Sequence, residues 1–219
     1  MIPKKLHYCW FGGGEIPELS KRCIDSWNKH LSDFEIIRWD ETNAPTHIPF
    51  VRDMLLQKKW AFASDYVRLH AIYEQGGIYL DTDMEVIRSF DELLEHDDCF
   101  IGYESKGRAT TGAMGGVSSS RFVKRCMDLM EERHSNKKSY MITPEVATSV
   151  LKSNRDLAYI YPIHTFYPYN PYDENNSLSV LMYSDIRADT YAIHHWNHSW
   201  SMSFTEKLFR RLGKVLGGN

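Results

Sequence analysis

The chain has 219 residues, 42% of them hydrophobic and 13% aromatic, enough for one globular domain with a sizeable core. A formal net charge of -3 excludes the global basic field that recruits nucleic acid. No apolar run approaches the roughly 18 residues of a membrane span.

Leu6 to Phe11 reads as a first strand, broken by Gly12, Gly13 and Gly14, a turn where a ligand can approach backbone. Pro17 to Leu31 reads as a helix with Leu19, Cys23, Ile24 and Trp27 on its apolar side, and Phe34 to Trp39 as a second strand. Strand, helix, strand at this spacing is a βαβ unit, and such units build mostly parallel sheets. A helix from Phe50 to about Lys58 follows. Phe62, Tyr66, Leu69 and Tyr73 then recur at one-face helical spacing before Gly76 and Gly77 end the helix. Ile78, Tyr79 and Leu80 form a short interior strand, from which Asp81 and Asp83 emerge.

Beyond that pair, Phe90 to Glu95 reads as a short helix and Cys99 to Tyr103 as a strand. Thr110 to Ser120 is small and glycine-rich, and Phe122 to about Arg133 is an amphipathic helix with Phe122, Cys126, Leu129 and Met130 inward. A helix from about Pro144 to Lys152 and a strand near Leu157 to Tyr161 follow. The aromatic, proline-rich stretch Tyr161 to Tyr172 reads as a shaped loop wall, and Tyr191 to Ile193 as the last strand. One domain over residues 1–203 and a tail over 204–219 are expected. Cys9, Cys23, Cys99 and Cys126 form neither a CxxC pair nor a zinc spacing, and no signal peptide precedes them, which predicts buried, reduced thiols in a cytoplasmic protein.

The chemistry concentrates at Asp81 and Asp83. Strand alternation would point both carboxylates one way and turn Thr82 aside. Two carboxylates on one face repel unless something cationic lies between them, and a hard divalent ion with oxygen ligands is the economical partner. A glycosidase needs carboxyl groups on opposite sides of a sugar, which adjacent same-face acids serve poorly. An EF-hand loop fails because Val86 stands at its sixth position, where the turn demands glycine. A haloacid-dehalogenase-like phosphatase with Asp81 as nucleophile is the enzymatic alternative, although Met84 and Glu85 follow the pair where Gly-Thr is usual. A non-catalytic sugar-binding module is the other. The reading that accommodates the pair best is a nucleotide-sugar transferase, in which DxD holds a metal on the donor diphosphate.

Other residues join this site. Asp65 and Arg68 share a helix face, placed either to hold sugar hydroxyls or to orient the two aspartates. Trp10, before three glycines, offers a flat platform for a base. His194 and His195 leave a strand together, so alternation sends one of the two rings toward the site. Phe204 to Leu216 alternates apolar residues with Lys207, Arg210, Arg211 and Lys214. It reads either as a docking helix or as a basic amphipathic helix on an anionic membrane, which would make peripheral attachment at the inner face of the membrane part of the expectation.

On the segments IPKKLHYCWFGG, ASDYVRLHAIYEQGGIYLDTDMEV and AIHHWNHSW, the chain resembles the DXD-motif glycosyltransferases of family 32. That group includes bacterial capsular-polysaccharide transferases and yeast outer-chain mannosyltransferases, with the glucosyltransferase domains of clostridial toxins as distant relatives. The resemblance implies a GT-A fold, a single Rossmann-like α/β domain with a mixed, mostly parallel sheet flanked by helices. It also implies retaining transfer of a hexose from a nucleotide-diphosphate sugar, UDP favoured over GDP, to a glycan or lipid-linked oligosaccharide acceptor in polysaccharide synthesis. By position, Trp10 would stack on the base, Asp65 and Arg68 would hold sugar and phosphate, and Asp81 would contact ribose or sugar. Asp83 would ligate Mn2+ or Mg2+ with His194 or His195, and Ser199 and Trp200 would close over the diphosphate. The toxin relatives carry an acidic residue and a serine where this chain has histidines, and the segment TTGAMGG lies where relatives form the acceptor pocket.

Overall fold

The computed structural model of the chain describes residues 1–173 and 179–197. Strand β1 (Lys5–Cys9), helix α1 (Glu18–His30) and strand β2 (Glu35–Trp39) form the expected βαβ unit, with β1 and β2 parallel and Lys5 opposite Glu35. Helices α2 (Pro49–Leu56) and α3 (Trp60–Gln75) lead into β3 (Gly77–Leu80), which lies parallel to the other edge of β1. After β4 (Met84–Val86) come β5 (Cys99–Ser105), β6 (Arg108–Gly116), helices α4 (Arg121–Ser135) and α5 (Thr143–Ser153), β7 (Tyr159–Tyr161), the short α6 (Ile163–Phe166) and β8 (Ala192–His194). The main sheet has the order β2-β1-β3-β6-β5-β7, while β4 and β8 pair separately as a small antiparallel ladder. Only β6 runs against its neighbours in the main sheet, so the sheet is mixed and mostly parallel.

Both faces of this sheet are covered, which explains why β1 and β3 read as continuous apolar runs without polar alternation. Cys9, Phe11 and Tyr79 pack under α2, α3, α4 and α5; Leu6, Tyr8, Trp10, Ile78 and Leu80 pack on the other side against Trp27, Phe90, Phe166 and Tyr167. All four cysteines are buried free thiols. No helix among the described residues is long and apolar enough to cross a membrane. The expected boundary at residue 203 and the tail over 204–216 lie outside the described residues.

The glycine-rich stretch around Thr110 is the longest strand, at the centre of the sheet. Glycine weakens a strand signal, yet it marks places where another group approaches closely. A Cβ on Gly115 would stand 2.3 Å from the ring of Phe100, and one on Gly116 would stand 3.0 Å from Ile72. The small residues let β6 sit between two strands and beneath α3.

The end of α3 is fixed as sharply. Gly76 and Gly77 have φ of +64° and +112°, and a Cβ at Gly77 would meet the carbonyl of Lys5 at 2.6 Å. His7, fully buried, braces this turn: its Nε2 lies 2.9 Å from the Gly76 carbonyl, and its Nδ1 accepts from Trp39 Nε1 at 3.2 Å. Those partners require the neutral ring with its proton on Nε2. Burial, partly countered by the Gly76 carbonyl, lowers the pKa of His7 from its ordinary 6.5 to about 4. The unfolded chain therefore binds the extra proton first. The stability that neutral His7 contributes is complete above about pH 6.5 and is lost as pH falls from there toward about 4, up to roughly 3 kcal/mol. Urea midpoints measured between about pH 7 and about pH 5 are expected to fall more steeply for the wild type than for His7→Gln, and parallel slopes would refute the assignment.

Candidate functional site

Asp65 and Arg68 stand one turn apart on α3, both buried. Arg68 Nη2 lies 3.0 Å from Asp65 Oδ1 and 3.2 Å from Asp81 Oδ1. Its Nη1 donates to Asp81 Oδ2 at 3.4 Å and to the Thr111 carbonyl at 3.3 Å, and its Nε donates to the Ser64 carbonyl at 3.3 Å. The guanidinium sits 4.7 Å from the centre of the Tyr79 ring, whose hydroxyl donates to Asp81 Oδ1 at 3.2 Å. Asp65 also receives the backbone N–H and hydroxyl of Thr143, at 3.3 and 3.2 Å. Of the two roles open to this pair, the geometry matches orientation: every guanidinium nitrogen is aimed at protein oxygen, and the cation holds Asp81. Burial pushes Asp65 up to about 6 against the pull of Arg68, and it raises Asp81 as well, with the Asp83 charge adding to the rise.

Asp81 and Asp83 do not share a face through strand alternation. The strand stops at Leu80, and residues 81–84 form a turn in which Met84 N–H bonds the Asp81 carbonyl at 3.0 Å. Thr82, expected to point aside, faces the same cavity. A turn after a strand brings the two carboxylates together where simple alternation would have spaced them along an edge. The turn is held from both sides: Asp81 N–H donates to the Gly112 carbonyl at 2.8 Å, and beyond Asp83 the β4 ladder pairs Met84 with His194. Trp27 Nε1 of α1 donates to the Met84 carbonyl at 2.7 Å and fixes the exit of the turn.

Asp83 is clasped by the end of β8 and the residues that follow it. His194 Nε2 lies 3.1 Å from its Oδ1, the Asn197 N–H donates to its Oδ2 at 2.8 Å, and the His195 N–H donates to its carbonyl at 2.9 Å. Burial disfavours this charge, but His194 and the Asn197 amide outweigh it and hold the carboxyl down at about 2. Burial likewise opposes charge on His194, and Asp83 outweighs it, so the imidazole pKa is raised. The alternation of the two histidines answers which one faces the aspartates: it is His194. The ring of His195 turns the other way, with Nε2 2.8 Å from Glu85 Oε2.

Asp65, Arg68, Asp81, Asp83, His194 and Trp196 line one cavity of about 170 Å³. It lies at the carboxyl ends of β1 and β3, where open α/β sheets collect ligands. Residues 17–100 match the family model described as a glycosyltransferase sugar-binding region containing a DXD motif. This stretch, less than half of the chain, is thus similar to the sugar-binding region of DXD glycosyltransferases. It is similar to inositol phosphoceramide mannosyltransferase 3 of Schizosaccharomyces pombe, 29% identical over 131 residues that make up 56% of this chain and 35% of that one. It is also similar to the alpha-1,4-N-acetylglucosaminyltransferase of Homo sapiens, 25% identical over 166 residues, 65% of this chain and 44% of that protein. The chain thus spans less than half the length of either relative. Among solved structures, the PaToxG glycosyltransferase superposes with a TM-score of 0.59 at 18% identity over 69% of each chain. Mouse xyloside xylosyltransferase 1 superposes with a TM-score of 0.59 at 11% identity, covering 91% of this chain and all of that one. The fold is GT-A.

Around the DXD turn, the donors fit a hard divalent ion held jointly with a substrate. Asp83 is a carboxylate kept ionised at the cavity, with an imidazole beside it. Among the described residues no group of three or more histidine, cysteine or acidic side chains forms a cage of its own. Mg2+ commonly binds in this way, through one or two carboxylates with waters and phosphate oxygens completing its shell. Trp10 does not enter this cavity. It is 5% exposed, its Nε1 donates to the Gly14 carbonyl at 2.8 Å, and it borders a neighbouring cavity of about 430 Å³ together with Gly12, Trp60 and Asn197. Asn197 therefore lies between the two spaces. His198, Ser199 and Trp200 lie outside the described residues.

Several participants carry no sequence signal. Thr143, 78 residues from Asp65, arrives at the site through the start of α5. Gly112 makes room for Asp81: a Cβ there would stand 2.6 Å from Asp81 Oδ2 and 3.0 Å from the Tyr167 hydroxyl. The Arg68 hub yields a stability test. Removing one partner of a buried charge cluster leaves the others uncompensated, so Arg68→Ala is expected to cost about 3–5 kcal/mol in urea unfolding. Asp65→Asn keeps the shape and an acceptor for Thr143, and should cost clearly less. An Arg68→Ala loss no greater than that of an average surface substitution would refute the hub.

Proposed function

We propose that the protein is a metal-dependent, retaining glycosyltransferase. It moves a hexose from a nucleotide-diphosphate sugar to a glycan acceptor, with surface or capsular polysaccharide synthesis as the setting. The observation that carries this reading is the division of the two aspartates: Asp81 held by Arg68 and Tyr79, Asp83 ionised and facing the cavity beside a second, larger cavity at Trp10.

In this reading the nucleoside occupies the cavity bordered by Trp10 and Trp60, and the diphosphate lies across Asn197. Asp83, with His194 beside it, would hold Mn2+ or Mg2+. The ion, when bound, neutralises the charge that develops on the departing diphosphate. Asp81, fixed by Arg68 and the Tyr79 hydroxyl, presents its carboxylate to hydroxyls of the donor, so that binding energy goes into orientation. Asp65 acts behind Arg68, itself held by Thr143. Because Asp65 and Asp81 are both ion-paired to Arg68, neither is a good nucleophile for double displacement. Front-face attack by the acceptor hydroxyl, with the leaving phosphate assisting, fits better, and a glycosyl-enzyme trapped on any carboxylate would overturn it. The same pairing disfavours Asp81 as the nucleophile of a phosphatase.

The decisive experiment is a thermal-shift panel of UDP-sugars, GDP-sugars and free nucleotides, with and without Mn2+, on wild type and Asp83→Asn. Ligand that binds the folded state raises the melting temperature by linkage, and a hundredfold excess over Kd corresponds to about 2.7 kcal/mol. A metal-dependent shift with one nucleotide family, lost in Asp83→Asn, is expected and identifies the base, with uridine favoured. Stabilisation by phosphate with Mg2+ and by no nucleotide would replace the transferase reading with the phosphatase. Sugar binding indifferent to metal and without turnover would replace it with a binding module.

A further inference from the structure

A third cavity, of about 580 Å³, opens between α2 and the loop that follows α4, and it shares no lining residue with the other two. Lys137 and Lys138 line it, with the hydroxyl side chains of Ser135, Ser139 and Tyr140. One carboxylate, Asp53, also lines it, and that group is already matched. His134 Nε2 lies 3.1 Å from one of its oxygens, and Arg52 Nε lies 3.5 Å from the other. Lys138 makes a loose contact of 3.9 Å with Glu132, and both side chains are more than half exposed. Lys59 adds a further cation, 5.0 Å from the centre of the Tyr140 ring. Cations therefore outnumber carboxylates around a concave space, and low-dielectric walls concentrate such a field.

The two lysines are also held in place. Lys137 N–H donates to the His134 carbonyl at 3.0 Å and Lys138 N–H to the Arg133 carbonyl at 2.9 Å, the bonding of a Schellman helix stop. Glycine is the usual residue at the left-handed position of such a stop, yet Lys137 occupies it with φ of +51°. A cation for the negative end of α4 does not require this, because Arg133 already stands in the last turn. What the lysine adds is an ammonium group at the cavity. Arg133 closes the loop, its Nε and Nη2 donating to the Ser139 carbonyl at 3.1 and 2.8 Å. Beneath the loop, the His134 ring lies 24° from the plane of Tyr140, and Phe50 meets both edge-on at 5.4 and 5.8 Å. The wall is built before any ligand arrives.

We propose that this cavity binds a phosphate-bearing ligand, with Lys137 and Lys138 meeting the charge and the neighbouring hydroxyls meeting the remaining oxygens. A phosphate monoester has three terminal oxygens and close to two charges, which uses two cations and several donors at once. A carboxylate, with one charge and two oxygens, would leave some of them unmatched. The volume falls in the range of small-molecule sites, so the organic part of a phosphate ester fits as well as its phosphate. The site needs no metal, and it stands independently of the transferase reading. A soluble phosphate ester and a lipid phosphate headgroup present the same chemistry to it.

Calorimetric titration of the full chain with inorganic phosphate at low ionic strength tests the site, with a chelator present so that no metal bridges phosphate to Asp83. Wild type is expected to bind phosphate saturably. Lys137→Gly combined with Lys138→Gln should weaken that binding by about tenfold or more, since two charge-assisted contacts are lost. Lys137→Gly alone suits the left-handed backbone and keeps the fold, so its own weakening, with an unliganded Tm no lower than that of wild type, decides the matter if the double variant unfolds. Asp83→Asn is expected to bind phosphate as wild type does. No saturable binding by wild type, or equal binding by the lysine variants, would overturn the site; so would loss in Asp83→Asn, which would place the phosphate at the DXD turn. Co-flotation with phosphatidylcholine vesicles, with and without phosphatidic acid, then identifies the source. Lysine-dependent flotation with phosphatidic acid, alongside the calorimetric site, assigns a lipid headgroup, and the calorimetric site without flotation assigns a soluble ester. Flotation without a calorimetric site would reduce the lysines to diffuse surface charge and refute the cavity.

Discussion

The site depends on one buried cation. Arg68 lies between Asp65 and Asp81 with its guanidinium over Tyr79, and it fixes both carboxylates. Burying a guanidinium and two carboxylates costs several kcal/mol per ion before their attraction is counted, so the cluster holds only when each polar atom has a partner. Here the backbone of Ser64 and Thr111, the Tyr79 hydroxyl and both donors of Thr143 provide those partners. Lysine, a point charge on a flexible stem, could not reach both carboxylates in this planar fork. The cluster also fixes a register. Arg68 is seven residues before the end of α3, and Asp81 is one residue after β3, so the glycine turn at Gly76 and Gly77 sets whether they meet. A single residue inserted in α3 between Arg68 and Gln75 would turn Arg68 by about 100° around the helix relative to the turn and separate the pair.

From this follows the split between the two aspartates. Asp81 is held by Arg68, which offsets the desolvation and the Asp83 charge that disfavour its ionised form. Asp83, the more buried of the two, is held by a histidine and a backbone amide that favour its ionised form. Adjacent carboxylates with equal environments would compete for one counter-ion or share a proton. Different environments give the two carboxylates different proton affinities, and that division is what the proposed roles draw on. The supports are correspondingly separate: Arg68 belongs to the helix under the main sheet, whereas His194 and Asn197 come with the β4–β8 ladder, which α1 fastens through Trp27.

Much of this was legible in the sequence because it is local. The periodic face of α3, the two-glycine stop, the apolar Ile78–Leu80 run and the DxD pair all fall within 26 residues, and alternation at His194 and His195 correctly sends one ring inward. What was not legible is what distance along the chain conceals. The reading of Asp81 and Asp83 as neighbours on a strand reached the right pairing through the wrong geometry, because no single residue marks where a strand gives way to a turn. The strand β6 was hidden by its glycines, which report the closeness of Phe100 and Asp81, facts about other segments. Thr143 could not be anticipated at all, since its role is defined by Asp65. Trp10 sits near the site as expected, yet its indole is packed and bonded to Gly14, so burial decides how much of it a ligand can meet.

The backbone at Trp196 joins these parts. Its φ of +56° places a bulky residue in the left-handed region, a conformation that costs about 1–3 kcal/mol and persists only when surroundings over-determine it. Two bonds, one from the next residue and one from the indole itself, do so. The Asn197 N–H meets the Asp83 carboxylate, a charged acceptor worth about 1.5–3 kcal/mol, and the indole N–H meets the Tyr169 carbonyl, worth about 1. Their sum, about 2.5–4 kcal/mol, is of the same order as the strain. An extended residue at 196 would carry the chain past Asp83 and remove the amide from its carboxylate. It would also lift the indole from His194 and from Tyr172. The same left-handed turn therefore sets both the amide bond to the Asp83 carboxylate and the position of the indole beside His194.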